Sequence, residues 1–306
     1  MQGELFRNQS LKNKYEEIFD QAYNALNSEQ KKAVDKIDGT VLVNAGPGTG
    51  KTQILALRIG KILKETDIAP HNILCLTYTD SATISMRNRL VQIIGPTGHQ
   101  VHIFTFHGFC NQVIQENLDI FGSYRSLEPI NDLERVDVFR EIIDQIPDDN
   151  ILKRFKSDKY YEAKRLRNLF DLMKKENIEP QDFLAIIDTH LQEQKESDAF
   201  IAKRKTTLKN GTTYEKGDFR DDWYATFAQK FEETKAAIQQ FDKLNQVLDK
   251  KERYDFHDMI LWVLKAFREN EYLLLQYQER YQYFLVDEYQ DTNIAQYLWL
   301  SDSIVI

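Results

Sequence analysis

Apolar residues along the 306-residue chain recur with two different periods, and the change between them divides the chain. Short, nearly all-apolar runs open at 41 (VLVN), 73 (ILCLT), 101 (VHIF) and 283 (YFLV), and their lengths predict strands of a parallel sheet covered on both faces. Between the first three runs the period is helical. Leu55, Ile59 and Ile62 share one face after residue 51, and a second helix is predicted over about 81–94. Ahead of the first strand, Tyr15, Ile18, Phe19, Tyr23 and Leu26 predict a leading helix, and Asn27 or Ser28 can cap a helix that runs to about 37.

From Phe109 the pattern is helical for about 140 residues with no convincing strand. The sequence 131–134 (NDLE) is a capped helix start, followed by Val136, Phe139, Ile143 and Ile146 on one face, and 147–150 (PDDN) ends that helix. Trp223, Phe227, Phe231, Ile238, Phe241 and Leu248 predict one long helix of about 28 residues. The stretch 195–218, rich in Lys, Thr and Gly, predicts a mobile loop. A last α/β piece is too short to fold alone, so the economical arrangement is one α/β domain made of 1–108 and 253–306, with an all-helical subdomain, 109–252, inserted between its halves.

Candidate chemistry sits where the strands end. After VLVN comes the loop Ala45, Gly46, Pro47, Gly48, Thr49 and Gly50, then Lys51 and Thr52 opening a helix. Glycines let the backbone curl into a nest of inward N–H groups, and the helix start adds a positive dipole end. The pattern predicts a triphosphate site in which Lys51 reaches the β and γ phosphates and Thr52 ligates Mg²⁺. Ala45 stands where the strictest form of the motif has Gly, and it is small enough to leave the turn open. At the other end, YFLV runs into Asp287 and Glu288. A carboxylate at a strand tip suits the metal, and its neighbour suits polarising a water nucleophile.

Composition narrows the class without adding chemistry. Apolar residues are 42% and charged residues 29%, a soluble globular profile. No apolar run approaches the ~20 residues of a membrane span and the N-terminus lacks a signal-peptide core, so a cytoplasmic protein without membrane partners is expected. Cys75 and Cys110 fit no metal or redox spacing. The net charge of −8 gives no general attraction for nucleic acid, so any DNA contact must be local.

Taken together, LNSEQ, AGPGTGKT, LTYTDSATISMRNRL, TFHGFC, YDFHDMI and VDEYQDTNIAQY resemble, in order, the motifs of UvrD/Rep-type superfamily 1 DNA helicases. That resemblance implies a RecA-like P-loop NTPase domain with a helical insertion, using ATP and Mg²⁺ and acting on single-stranded DNA and duplex junctions. It implies that Gln30 contacts adenine, that Gln290 senses the γ-phosphate, and that Arg58 lies near the nucleotide unless it is a solvated helix charge. It places Thr77, Tyr78, Thr105, Phe106 and His107 on a DNA track, with Tyr78 offering a base-stacking face. Periodicity alone instead makes Tyr78 and Phe106 core aromatics. Phe256 and Asp258 fit the family's aromatic-plus-acid segment, or helix packing and capping.

Two positions depart from the family pattern. Residues 80–85 (DSATIS) lack the usual Lys of that loop, and Gln53 stands where Arg is common. No second motor domain follows within 306 residues, which makes the chain resemble an N-terminal fragment and implies weak Mg-ATP binding and little turnover by this stretch alone. A nucleotide-dependent DNA-binding switch and a helicase subunit of a recombination nuclease complex are the competing expectations. The cations Arg165, Arg167, Lys174, Lys175, Lys203, Arg204 and Lys205 read as a solvated face in preference to a duplex contact.

Overall fold

The computed structural model describes residues 2–124, 126–154 and 158–303. The chain forms two compact units, one of 1–122 with 259–306 and one of 123–258. In chain order the first contains α1 (Gln2–Asn24), α2 (Ser28–Asp35), α3 (Lys51–Glu65), β1 (Ile73–Thr77), α4 (Asp80–Ile94), β2 (His102–Thr105), α5 (Phe106–Glu116) and α6 (Leu118–Phe121). The second contains β3 (Glu128–Pro129), α7 (Asp132–Asp144), α8 (Ala163–Lys175), α9 (Pro180–Glu196), β4 (Thr206–Thr207), β5 (Thr213–Tyr214), α10 (Asp221–Ile238), α11 (Phe241–Lys250) and β6 (Arg253–Tyr254). Helix α12 (Phe256–Glu269) carries the chain back to the first unit, which ends with α13 (Glu271–Arg280), β7 (Tyr283–Val286) and α14 (Ile294–Ser303).

The division lies later than the expected 108/109 and 252/253, for two reasons visible in the packing. Phe109 on α5 belongs to the aromatic layer of the first unit, against Trp299, Tyr277 and Tyr281. β6 pairs in parallel with β3, which keeps 253–254 in the second unit.

In the first unit the sheet is parallel, in the order β2-β1-β7, with Leu76 opposite both Phe104 and Val286. Alternate strand residues face opposite layers. Ile73, Cys75, Ile103 and Leu285 pack with Phe19, Leu57, Ile59, Met86 and Leu90 from α1, α3 and α4. On the opposite face, His102 and Phe104 meet Tyr281 and Phe109, and Trp299 is 1% exposed among Phe106, Phe109 and Phe267. Each such ring contributes about 1.5–3 kcal/mol by burial. Both cysteines are buried and free, and burial pushes the Cys75 thiol up to about 12, so neither is poised for redox chemistry.

Residues 41–44 correct the sequence reading. They form no strand, and Leu42 is 77% exposed. An apolar run becomes a strand only where a neighbouring backbone supplies its ladder. Among the described residues the sheet ends at β7, and no ladder reaches 41–46.

The second unit packs α7, α8, α9, α10 and α11 around Phe139, Ile142, Leu166, Phe170, Ile187, Ile238 and Leu244. The start of α7 is the expected capped one, since Asn131 and Glu134 form a reciprocal capping box. Its buried face is Val138, Phe139, Ile142 and Ile143, whereas Val136 is exposed. The single long helix is in fact two: it breaks at Gln239 and Gln240, where the Gln240 side chain turns back to donate to Ala236 O at 3.1 Å. The break lets Ile238, Phe241, Leu244 and Leu248 enter one core. The expected mobile loop is largely ordered, with α9 running to Glu196 and β4 pairing with β5 beyond it.

A buried charge network lies at the start of α12. Lys174 Nζ is 2.6 Å from Asp258 Oδ1 and 3.3 Å from Asp255 Oδ2, and Arg135 also reaches Asp255 at 3.4 Å. Asp258 additionally accepts from the Asp255 N–H at 2.9 Å, so packing and capping account for this acid. Arg165 pairs with Glu233 and Arg167 with Asp132, which agrees with a structural role for those cations.

Candidate functional site

Three parallel strands end at one edge of the sheet, and the sequence-predicted residues follow those ends. Thr77 lies opposite Thr105 in register, and the N–H of Asp287 donates to Leu76 O at 2.8 Å. Tyr78, Phe106 and Asp287 therefore leave neighbouring strands side by side, the position where parallel α/β sheets bind ligands.

The phosphate-loop residues lead into α3. Gly48 and Gly50 have φ of +74° and +84°, left-handed values that favour glycine, and nothing lies within 4 Å of where a Gly48 Cβ would stand. Thr49 Oγ1 donates to Gly46 O at 2.8 Å and tightens the turn. Gly50 caps α3, so Lys51 and Thr52 occupy its first turn, where the backbone N–H groups have no partner within the helix. Ala45 is half-buried, while Gly46 and Pro47 are exposed.

The acidic strand tip meets this corner. Lys51 Nζ lies 3.8 Å from Glu288 Oε2, although the two are far apart in sequence. Asp287 is 7% exposed. Burial, and then the charge of Glu288, hold its carboxyl above the ordinary range, with the Glu288 N–H and the Lys51 ammonium opposing. Glu288 itself sits at φ +52°, an uncommon left-handed conformation for a side-chain-bearing residue, and its carboxylate accepts from Gln290 Nε2. One cation, two carboxylates and an amide thus share one corner beside an anion-binding turn. The residues present suit a magnesium-bound polyphosphate: a nest for anionic oxygens, a lysine for their charge, and a hydroxyl and a carboxylate for the metal.

A sequence profile described as UvrD/REP helicase N-terminal domain matches residues 26–303. The chain belongs to that family. Among its relatives, the ATP-dependent DNA helicase PcrA of Bacillus subtilis is 28% identical over 281 residues, 92% of this chain and 31% of the relative. PcrA of Staphylococcus aureus is 28% identical over 279 residues, and that of Staphylococcus epidermidis 29% over 274, or 89% of this chain and 30% of the relative. The chain thus spans under a third of the length of these curated relatives.

Several residues expected at this UvrD/REP-family site have other roles. Arg58 is half-buried and donates to the carbonyls of Ala33 at 2.8 Å, Ile37 at 3.1 Å and Lys36, so it anchors the end of α2. Thr77 is fully buried, its hydroxyl 2.6 Å from Thr83 Oγ1, and Phe106 is 4% exposed against Trp299. Both are interior supports, not solvent-facing contacts. Thr105 caps α5 through the Gly108 N–H at 3.0 Å, and His107 is half-buried. Tyr78, at 54% exposure, is the one aromatic of the set that faces solvent.

Gln30 does more than its position suggests. Its Oε1 accepts from the Asn27 N–H at 2.9 Å, closing a capping box on α2, while its Nε2 donates to Thr49 O at 3.1 Å. The N-x-x-Q spacing is the signal for that box. Arg89 carries no such signal: it donates to Gln53 Oε1 at 2.8 Å, and so brings a cation to the departing position. Nothing local in the sequence pairs residues on two different helices. Among the described residues, no helix is long and apolar enough to cross a membrane.

Proposed function

We propose that the chain is the ATP-binding motor portion of a DNA helicase, with a RecA-like P-loop domain that couples nucleotide hydrolysis to movement on single-stranded DNA in the full-length protein. The observation that carries this reading is the 3.8 Å approach of Lys51 to Glu288, which joins the phosphate loop to the acidic strand tip. The loop 45–50 and Lys51 would cradle the phosphates, and Thr52 and Asp287 would hold Mg²⁺. When bound, the metal would supply charge neutralisation to the phosphates. Glu288 orients and polarises the attacking water, and Gln290, hydrogen-bonded to Glu288, links the carboxylate to the phosphate end. Gln30 meets the adenine. Tyr78 stacks on a base, with Thr105 and His107 beside it, and Thr77 and Phe106 fix the two loops from beneath.

The test is ATP hydrolysis by the full-length protein, with and without single-stranded DNA, beside Glu288→Gln. DNA raises the wild-type rate, and the variant loses about 10²–10⁴-fold in turnover while keeping nucleotide affinity. A wild-type rate indifferent to DNA would leave only a nucleotide switch. Turnover unchanged in the variant would remove Glu288 from the chemistry.

A further inference from the structure

Strands β4 and β5 of the second unit form a short hairpin whose closing turn joins an asparagine to a glycine. Thr206 pairs with Tyr214 and Thr207 with Thr213, and the Leu208 N–H donates to Thr212 O at 2.8 Å. Gly211 sits at φ +89°, a left-handed value that favours glycine, and nothing lies within 4 Å of where its Cβ would stand. The turn therefore asks for the residue that leaves its backbone nitrogen least shielded. Asn210 precedes it, both are exposed, and no other asparagine of the chain is followed by glycine.

An asparagine amide is open to attack by the nitrogen of the next peptide unit, because the two can close a small ring. Here the Asn210 Oδ1 accepts from the Thr212 N–H at 3.1 Å, which folds the side chain forward and polarises its carbonyl. A donor so placed stabilises negative charge developing on that oxygen. Along 203–216 there are five cations and one carboxylate, and Glu215 takes Lys205 at 2.5 Å. Lys203, Arg204, Lys209 and Lys216 are exposed, and among the described residues no carboxylate pairs with them. Their field eases removal of the Gly211 amide proton and favours an acidic product. One contact opposes the attack, since the Gly211 N–H donates to Leu208 O at 3.0 Å. That bond lies at the tip of strands two residues long, where local opening costs little.

We propose that Asn210 is a site of spontaneous deamidation, at which the hairpin turns a neutral amide into a carboxylate. Water or hydroxide takes the Gly211 amide proton, and that nitrogen bonds to Asn210 Cγ. The Cγ–Nδ2 bond breaks, and Nδ2 leaves as ammonia after taking a proton back from water, so a cyclic succinimide remains. Water then opens the ring. Addition at Cγ gives aspartate, and addition at the backbone carbonyl carbon gives isoaspartate, in which the chain runs through the former side chain. One water is consumed and one ammonia released, with no change of oxidation state. The new carboxylate meets the unpaired cations around it, while the isoaspartyl form adds a methylene to the backbone of the turn and loosens the Thr207–Thr213 pair. Asn27 and Asn131 differ on both counts, because each holds its Oδ1 on N–H groups of a helix start and is followed by a residue with a side chain, Ser28 and Asp132. None of this draws on the nucleotide site.

The test is incubation of the whole chain in oxygen-18 water at mildly acidic and mildly alkaline pH, followed by peptide mapping with mass spectrometry. The peptide carrying Asn210 gains a carboxylate with one heavy oxygen, faster at the alkaline pH, and backbone fragmentation identifies part of the product as isoaspartate. Asn27 and Asn131 stay amides over the same period. A variant combining Lys203→Gln, Lys209→Gln and Lys216→Gln, its fold checked by circular dichroism, converts at least about twofold more slowly at low salt, and high salt removes the difference. The proposal is overturned if the folded chain keeps Asn210 while a synthetic peptide of 203–216 converts in the same buffer. It is overturned equally if another asparagine converts first, or if the lysine variant converts at the parent rate.

Discussion

Removing the charge of Lys174 exposes how the second unit depends on its buried ion network. The Lys174 side chain is 2% exposed, and those of Asp255 and Asp258 are 4% and 12% exposed. In Lys174→Met the aliphatic bulk remains, Asp255 keeps Arg135 at 3.4 Å, and Asp258 keeps only the Asp255 N–H. Breaking a buried pair from one side costs about 3–5 kcal/mol, because the remaining charge stays desolvated and uncompensated. We expect that loss at pH 7 by urea unfolding, with the melting temperature of the unit lower by about 10 °C or more.

The pH dependence fixes the cause. Burial, and then the charge of Asp255 against the opposing Lys174, already hold the Asp258 carboxyl above its ordinary value, and removing Lys174 raises it further. A folded pKa above the unfolded one means that the folded state binds the extra proton. The penalty is therefore full above the folded pKa and fades as pH falls toward the unfolded value of about 3.9. The gap between variant and parent must narrow on acidification, and adding Asp258→Asn should restore most of the loss at pH 7. A variant within about 1 kcal/mol of the parent at pH 7, or a gap that widens in acid, would refute the reasoning.

Two further outcomes test the reassigned and the retained site residues. Arg58→Met should lower stability by about 1–3 kcal/mol, through carbonyls left without their donor at the end of α2, and leave the affinity for a fluorescent ATP analogue nearly unchanged. A large fall in that affinity at unchanged stability would return Arg58 to the nucleotide. Tyr78→Ala should weaken single-strand binding by about 1–3 kcal/mol in anisotropy titrations, with nucleotide affinity intact, and equal binding by both proteins would end its stacking role.

The features legible in the sequence follow from local rules. The run YFLV is β7 residue for residue, ILCLT is β1, and NDLE caps α7, because apolar runs and caps act within a few residues. Sequence and structure part where the deciding partner is remote. Residues 41–44 have strand composition but no ladder, and the split between α10 and α11 carries neither Gly nor Pro. The strands of the hairpin are two residues each, too short for alternation to register. Within the site, residue types and their order are legible from the chain, while the burial of Thr77 and Phe106 and the carbonyls held by Arg58 depend on which neighbours arrive in space.

Gln30 illustrates what such a neighbour does to selectivity. Its oxygen is already claimed by a backbone donor and its nitrogen by a backbone acceptor, so the amide cannot rotate end for end without breaking both bonds. One lone pair and one N–H remain, in a fixed order. Such a pair can accept from the exocyclic amine of adenine while donating to the neighbouring ring nitrogen, but guanine presents two acceptors along that edge and leaves the oxygen of the amide facing another oxygen. On the proposed reading, in which Gln30 meets the adenine, the start of a short helix sets in advance which purine the side chain can pair with.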